Sequence, residues 1–487
     1  MLQNKVGERK YCNLFGRYSL VLLLGLAFTP LSAQTFSDYK LSQSEAFKKY
    51  KDEKDEAFNR YLKTEWEAYN AQIPDSFYEK PKPKVMPFAE EKKVPAEGPK
   101  VKIELLPQKK PIAIKEIHKD AKGTSFDFFG TTIGFEIPHS MDKASFSPQS
   151  KEGISNFFDE VVATDYSTLL NDINSVSKRM NLNDWGVYQL VIKLGDSIYS
   201  NENEARLLSW FLFNKLGYVV KVGLSYENVV LMHYSQKSIY STPSYTIDGK
   251  RYYVISNYSK NQVGSIYTYK QNYPEAEKPL NLTLESLPNL SENMKNKTLS
   301  FKQYGNEYDI PYEYNQNLID FMASYPQADY ETFFNAPVER KSYETIAIAL
   351  KKYIDNKQSS EAINFVLHFV QNAFIYKSDS EQFGREKVMF AEETLYFDQS
   401  DCEDRAILFS YLVKELFNVG VIGVKYKDHM ATALYLPLSG ESINAGLKKY
   451  VIADPTYVNA SIGESMPKYK SIKPERFIVV RSQTNSL

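Results

Sequence analysis

The chain has 487 residues, which is more than one hydrophobic core usually organises, so we expect two or three domains. Hydrophobic residues make up 43% and aromatic residues 14%, a globular composition that excludes a largely disordered protein. The formal net charge is -1, so the balance of charges gives no indication of nucleic acid binding.

The segment 1–33 has the pattern of a secretory signal peptide. Basic residues precede an apolar run from Leu20 to Phe28, and Leu31-Ser32-Ala33 fits a cleavage site. The run is too short to span a bilayer, although an uncleaved anchor is the alternative. We therefore expect cleavage after Ala33, a secreted or periplasmic protein, and no transmembrane segment in the mature chain.

Residues 34–72 carry aromatic side chains at an interval of eleven residues. Because eleven residues are close to a whole number of helical turns, the pattern predicts one long helix with an aromatic stripe. Through residues 35–72 the stripe would pack on the chain itself, mediate self-association, or bind a cell-envelope component. Residues 73–122 are rich in proline and lysine and predict an extended linker or a loosely attached arm. The stripe consists of Phe36, Phe47, Phe58 and Tyr69, with Tyr39, Tyr50 and Tyr61 beside them.

Residues 123–275 and 336–487 show the same predicted order of helices followed by strands, with a β-rich connecting region at 276–335. When the two halves are aligned, Asn201 stands at the position of Cys402. The pattern predicts an internal duplication in which 336–487 is the catalytic domain and 123–275 is a chemically inactive copy. A coincidental likeness is the alternative, because helices followed by strands are common.

Cys402 is the cysteine that would remain after Cys12 leaves with the signal peptide. An unpaired thiol in an exported protein is either buried and inert or a nucleophile. Cys402 falls in the first turn of a predicted helix, where free N–H groups and the helix dipole stabilise a thiolate and can receive an oxyanion. The neighbouring acids Asp401, Glu403 and Asp404 oppose this by raising the thiol pKa. A nearby imidazolium is therefore needed to activate the cysteine.

His429 begins a predicted strand after this helix, and Asp454 follows the end of another. A helix followed by adjacent antiparallel strands can place a thiol against a histidine and the histidine against a carboxylate. The order of residues along the chain, Cys402, His429 and Asp454, therefore predicts a catalytic triad.

Three short blocks around these residues resemble the signature of a known superfamily. Asp-Cys-Glu-Asp-Arg-Ala at 401–406, Asp-His-Met-Ala-Thr-Ala at 428–433 and Ile-Ala-Asp-Pro-Thr-Tyr at 452–457 are similar to the blocks of the transglutaminase-like superfamily. The resemblance covers about 361–460. It implies an α+β fold with a papain-like core, a helix on an antiparallel sheet, and acyl transfer through a cysteine thioester.

The resemblance also implies a role for each matched residue. Cys402 would attack an amide carbonyl, His429 would accept the thiol proton and later protonate the leaving amine, and Asp454 would orient the imidazole. One oxyanion donor would be the backbone N–H of Cys402. Gln382 and Tyr396 are candidates for the second. They lie in 377–401, an additional segment that the second half carries directly before the cysteine and the first half lacks, and we expect this segment to wall the site.

We therefore expect an exported cysteine-dependent acyl transferase or hydrolase acting on a protein or peptide substrate. A peptidase or amidase is favoured over a crosslinking transglutaminase, because an acidic, open site admits water. The alternative is a non-catalytic binding or scaffold protein of the cell envelope that retains the fold. No residue spacing fits a metal site or a nucleotide loop, so we expect no cofactor, no metal and no nucleic acid partner.

Overall fold

The computed structural model describes residues 52–103, 123–255 and 264–481. The predicted signal peptide, Cys12 and most of the predicted aromatic helix lie outside these residues. The described residues from Lys54 onward belong to one compact unit of mixed α+β structure. Within the described part of the chain, no helix has the length and apolar character needed to cross a membrane.

Apart from the helical residues 52–62, the described α-helices occur in two groups along the chain. The first group is α1 (Lys151–Val162), α2 (Tyr166–Arg179), α3 (Asp184–Ile198) and α4 (Glu202–Lys215). The second group is α5 (Gln316–Ala323), α6 (Tyr330–Phe334), α7 (Arg340–Ile354), α8 (Ser359–Asn372), α9 (Asp379–Gln382), α10 (Ala391–Tyr396) and α11 (Cys402–Phe417). Polar caps begin several of them: the side chain of Asn201, for example, accepts the N–H groups of Asn203 and Glu204 at the start of α4.

Two larger antiparallel sheets accompany these helices. The strands before the middle of the chain are β1 (Glu67–Asn70), β2 (Gly123–Phe128), β3 (Thr131–Glu136), β4 (Val220–Ser225), β5 (Asn228–Tyr234), β6 (Ser244–Ile247), β7 (Lys250–Tyr253) and β8 (Ser265–Thr268). The later strands are β9 (Met294–Gln303), β10 (Asn306–Asn315), β11 (Ile375–Tyr376), β12 (Gln399–Ser400), β13 (Val421–Lys425), β14 (Met430–Leu434), β15 (Ser442–Ala445), β16 (Lys448–Ala453) and β17 (Arg476–Val479). The first sheet has the order β1-β8-β4-β5-β7-β6, and the second has the order β15-β16-β14-β13-β17.

The two halves of the chain share their order of elements. In the first half, α3 and α4 precede five strands in the spatial order β8-β4-β5-β7-β6. In the second half, α8 and α11 precede strands in the corresponding order β17-β13-β14-β16-β15. Between the halves, the region 276–335 contains the hairpin of β9 and β10 but also α5 and α6, so it is only partly β-rich. An internal duplication and the predicted domain boundaries stay predictions.

The helix predicted over 34–72 is wrong in its last part. Described residues 52–62 are helical, but the chain then turns and residues Glu67–Asn70 form β1, which pairs antiparallel with β8. Pairing with an existing sheet edge satisfies the backbone hydrogen bonds of these residues and overrides the helical pattern. Phe58, on the helical part, is buried against Phe158 and Trp210 and therefore packs on the chain itself.

The linker predicted over 73–122 is extended in its described part, residues 73–103, but the prediction of a loose arm is wrong. This part contains no regular helix or strand. Its side chains Phe77, Tyr78, Lys82 and Met86 are nevertheless buried. We call residues 76–89 the strap, because they cross the surface above Cys402.

Candidate active site

Cys402 is the first residue of α11, as the sequence predicts. Asp401 and Asp404 have the three-residue offset of a capping box, and the backbone N–H of Asp401, just before the helix, donates to the carboxylate of Asp404 (3.2 Å). Helix α11 packs against β14, the strand that follows His429. The cysteine and the histidine are therefore carried by elements that touch each other.

The thiol of Cys402 is fully buried and hydrogen-bonded to a carboxylate. It donates to Oε2 of Glu403 (3.1 Å), and the hydroxyl of Tyr78 lies 3.7 Å from Sγ and donates to the same carboxylate oxygen (3.0 Å). Burial, followed by the negative charges of Glu403 and Asp401, raises the pKa of the Cys402 thiol well above its usual value. In this conformation the cysteine is therefore protonated and covered.

His429 and Asp454 form the pair that the sequence predicts. Nε2 of His429 lies 2.8 Å from Oδ2 of Asp454, and both side chains are buried. The other oxygen of Asp454 accepts the backbone N–H groups of Thr456 (3.0 Å) and Tyr457 (3.3 Å), which holds the carboxylate in place. The ring of Tyr469 stacks on the imidazole at 4.8 Å. The histidine is thus fixed by its carboxylate and by an aromatic ring.

Cys402 and His429 are not hydrogen-bonded to each other in this conformation. Among the described residues, Sγ of Cys402 makes its hydrogen-bond contacts with Glu403 and Tyr78 and none with His429. Nδ1 of His429 is buried and has no hydrogen-bond partner in the described chain. A buried ring nitrogen without a partner is costly, and it is the atom that a catalytic base would use.

Lys82, on the strap, is the residue beside the cysteine that the sequence reasoning missed. Its ammonium group contacts four carboxylates: those of Asp379 (2.9 Å), Glu386 (3.0 Å), Asp401 (2.5 Å) and Glu403 (2.8 Å). The sequence indicates that the acids around Cys402 need a cation, and it predicts an imidazolium in that role. No local signal identifies Lys82, because its position depends on a contact between residues 319 positions apart.

The carboxyl groups of this cluster hold fewer negative charges than their number suggests. Burial and the charge of Glu403 raise the pKa of Asp401 and bring that of Asp404 to about 7. Burial alone would also raise the pKa of Glu403, but attraction to Lys82 and hydrogen bonds from its neighbours hold it at about 2. Ligand atoms of Asp379, Asp401 and Asp404 lie within 4.8 Å of one another, a spacing that could hold a metal ion. In this structure the ammonium group of Lys82 supplies the positive charge.

We expect Asp379→Asn to change how the stability of the protein depends on pH. Burial and the charge of Asp404 outweigh attraction to Lys82 and raise the pKa of Asp379 from 3.8 to about 8. The folded protein therefore keeps a proton that the unfolded chain releases above pH 4, so stability is lost as the pH rises towards 8. Compared with the variant, the wild type should lose on the order of 1 kcal/mol per pH unit between pH 5 and 8.

Denaturant unfolding at several pH values measures this difference. Asp398→Asn is the matched control, because Asp398 lies in the same segment but its side chain is 81% exposed, and its curve should run parallel to that of the wild type. Parallel curves for Asp379→Asn and the wild type would contradict the prediction.

The two side chains predicted as the second oxyanion donor do not contact the thiol in this conformation. The amide of Gln382 donates to the carbonyl of Gln399 (3.4 Å), and the ring of Tyr396 packs against Tyr314 and Phe397. The additional segment before the cysteine does line the site, but through Asp379 and Glu386. A hydroxyl that does contact the sulfur is that of Tyr78, on the strap, at 3.7 Å.

Comparisons with known proteins assign no family to this chain. No protein-family model, no curated protein and no solved structure matches it at a significant level. The similarity of blocks 401–406, 428–433 and 452–457 to the transglutaminase-like superfamily is therefore a resemblance of short motifs. The function has to be inferred from the geometry of the site.

Proposed function

We propose that the protein is an exported cysteine-dependent acyl-transfer enzyme of the transglutaminase-like type that acts on peptide or side-chain amides. The observation that supports this most directly is the buried pair of His429 and Asp454 beside the helix that begins at Cys402, with Nδ1 of the histidine unpartnered within the described part of the chain. The amino-terminal pattern supports export. Hydrolysis is favoured over crosslinking, because an acidic site admits water once it opens.

The proposed reaction starts with transfer of the thiol proton from Cys402 to Nδ1 of His429. The thiolate then attacks the amide carbonyl, and Asp454 stabilises the imidazolium through Nε2. The backbone N–H of Cys402, at the start of α11, is available to the oxyanion. The imidazolium returns its proton to the amine as the C–N bond breaks, which leaves a thioester. Water attacking the thioester gives an acid, whereas an amine gives a new amide, and both release the thiol.

The resting conformation requires one change before this reaction can begin. The thiol of Cys402 must leave Glu403 and turn towards His429, because its present acceptor is a carboxylate that disfavours ionisation. The cover of Tyr78 over the sulfur must also move. The proposed enzyme is therefore closed at rest and opens before it reacts.

A non-catalytic scaffold is the second candidate function. It is favoured by the same buried, protonated thiol, whose hydrogen bond goes to Glu403 rather than to His429. In this alternative, the Cys402 side chain is a packing residue and the paired His429 and Asp454 hold β14 and β16 together.

Alkylation of Cys402 by iodoacetamide distinguishes the two functions. We expect His429→Ala to lower the alkylation rate at pH 7 about tenfold, because the imidazole takes up the thiol proton and so favours the reactive thiolate. The rate is followed by mass spectrometry of the peptide that contains Cys402. Because the strap covers Cys402 in both the wild type and His429→Ala, the ratio of their alkylation rates reports how strongly the thiol is activated and not how accessible it is.

His139→Ala is the matched control, since this histidine is exposed in a loop and should leave the rate unchanged. If His429→Ala alkylates as fast as the wild type across pH 6–9, the enzyme is excluded and the scaffold is favoured.

A further inference from the structure

The strap crosses the site along the segments that carry the proposed triad. Its main-chain contacts include three hydrogen bonds. The N–H of Lys80 donates to the carbonyl of Lys427 (3.3 Å), the hydroxyl of Tyr376 donates to the carbonyl of Pro83 (2.7 Å), and the N–H of Ala89 donates to the carbonyl of Val458 (2.8 Å). The first segment leads to His429, the second pairs with the strand before Cys402, and the third follows Asp454. An extended peptide bound for reaction at Cys402 would follow a similar course.

The strap is built like a bound peptide rather than like an integral strand. The side chains of Tyr78, Lys82 and Met86 are buried at intervals of four residues, and Phe77 is buried beside Tyr78. Most of the residues between them are exposed, and the strap contains no regular secondary structure. Prolines on both sides of Lys82 favour an extended backbone, which lowers the entropy lost when the segment docks.

Three buried acids, Asp379, Asp401 and Glu403, form a chamber around the ammonium group of Lys82. The number of acceptors in this chamber matches a primary ammonium group. An ammonium group offers three donors, and here they meet the carboxylates of Asp379, Asp401 and Glu403. The second oxygens of Asp379 and Asp401 are buried and have no hydrogen-bond partner in the described residues. Without a cation, the charge of Glu403 and the acceptor oxygens of Asp379 and Asp401 would be buried without a partner, which is unfavourable.

We propose that the strap is a self-docked peptide, that the chamber beside Cys402 is a recognition site for a lysyl side chain, and that Lys82 occupies this site until a lysine-bearing peptide replaces it. The thiol becomes accessible when the strap leaves, because Tyr78 and Lys82 leave together. The identification of a lysine-bearing peptide as substrate rests on the proposed function. The inferences that the strap covers Cys402 and that the chamber recognises a lysyl side chain do not depend on the proposed function.

The first test compares Lys82→Met with Lys84→Met, an exposed lysine two residues further along the strap. We expect Lys82→Met to accelerate alkylation of Cys402 by iodoacetamide about tenfold or more, because the charge-assisted contacts that hold the strap are lost. Lys84→Met should react at the wild-type rate. Circular dichroism and thermal unfolding establish that each variant is folded. A folded Lys82→Met protein that alkylates no faster than the wild type overturns the proposal.

The second test keeps Lys82 and applies if Lys82→Met does not fold. Protease sites are placed at exposed positions on either side of the strap, at Ile73–Pro74 and at Glu90–Lys93, in the full chain. After cleavage and gel filtration we expect the strap peptide to dissociate and alkylation of Cys402 to accelerate about tenfold. If the cleaved strap peptide is retained and the thiol stays protected, the strap is an integral part of the fold and the proposal is overturned.

Adding synthetic peptide to the cut protein tests lysine recognition. The peptide Ser76–Ala89 should restore protection of the thiol, and the same peptide with Lys84→Met should protect equally well. The peptide with Lys82→Met should need about a tenfold higher concentration. Equal protection by the Lys82→Met peptide, or protection by calcium or magnesium ions alone, would overturn the lysyl chamber.

These readouts are independent of turnover. If removal of the strap exposes Cys402 but His429→Ala does not change its reactivity, the strap and chamber stand and the proposed enzyme fails. If reactivity depends on His429 but not on the strap, the enzyme stands and the self-docked peptide fails.

Discussion

Arg405→Ala is expected to lower the free energy of unfolding by about 3–5 kcal/mol. The guanidinium group is buried and donates to the hydroxyl of Ser400 (3.0 Å) and to the carbonyls of Gln371 (3.1 Å) and Phe374 (2.7 Å). These carbonyls lie at and just beyond the last turn of α8, where the helix itself offers no partner. The arginine therefore ties the end of α8 to the start of α11 and so positions Cys402. Truncation leaves the acceptors unsatisfied and opens a cavity.

Denaturant unfolding at neutral pH measures this loss. Arg385→Ala is the matched control, because Arg385 is exposed in the segment before α11, and its change should stay within about 0.5 kcal/mol. Arg405→Lys keeps the charge but cannot reach all three acceptors, so it should fall between the wild type and Arg405→Ala. A loss of less than 1 kcal/mol in Arg405→Ala would show that the guanidinium does not join the two helices.

Asp454→Asn should reduce the proposed acyl transfer about 10³- to 10⁴-fold while leaving the fold intact. One carboxylate oxygen of Asp454 accepts the N–H groups of Thr456 and Tyr457, so the amide oxygen of the asparagine will take that position. Its NH₂ group must then face Nε2 of His429, which has to accept the hydrogen bond. The proton therefore moves to Nδ1, and the imidazole can no longer accept the thiol proton.

Two measurements check this prediction. Imidazole ¹⁵N chemical shifts should show that the tautomer of His429 changes, and the initial rate of thioester formation on a model amide should fall. Asp428→Asn is the control, because Asp428 precedes the same histidine but pairs with Lys468 and Tyr469. We expect its rate to change by less than about fivefold. A wild-type tautomer and rate in Asp454→Asn would remove Asp454 from the proposed mechanism.

The features that depend on short stretches of chain were predictable. The start of α11 at Cys402 follows from the capping acids Asp401 and Asp404, and the strand after His429 follows from its run of apolar residues. The end of β16 just before Asp454 is equally local. Since these elements form a helix packed on an antiparallel sheet, their chain order brought His429 and Asp454 together as predicted.

The features that depend on distant contacts were not predictable. The aromatic interval around Tyr69 favours a helix, but pairing with β8, nearly two hundred residues away, makes it a strand. The composition of the strap is that of a linker, but the acids that bind Lys82 come from residues about 300 positions later. Neither contact leaves a local pattern in the sequence.

The sequence by itself determined which residues could carry chemistry, because helix capping, strand alternation and chain order act over a few residues. Only the tertiary structure decided the state of that chemistry. Whether Cys402 is a thiolate or a covered thiol depends on burial and on charges that Tyr78, Lys82 and Glu403 bring to it in space. Electrostatic interactions and desolvation act through distance and not through sequence separation, so they become visible only when the chain is folded.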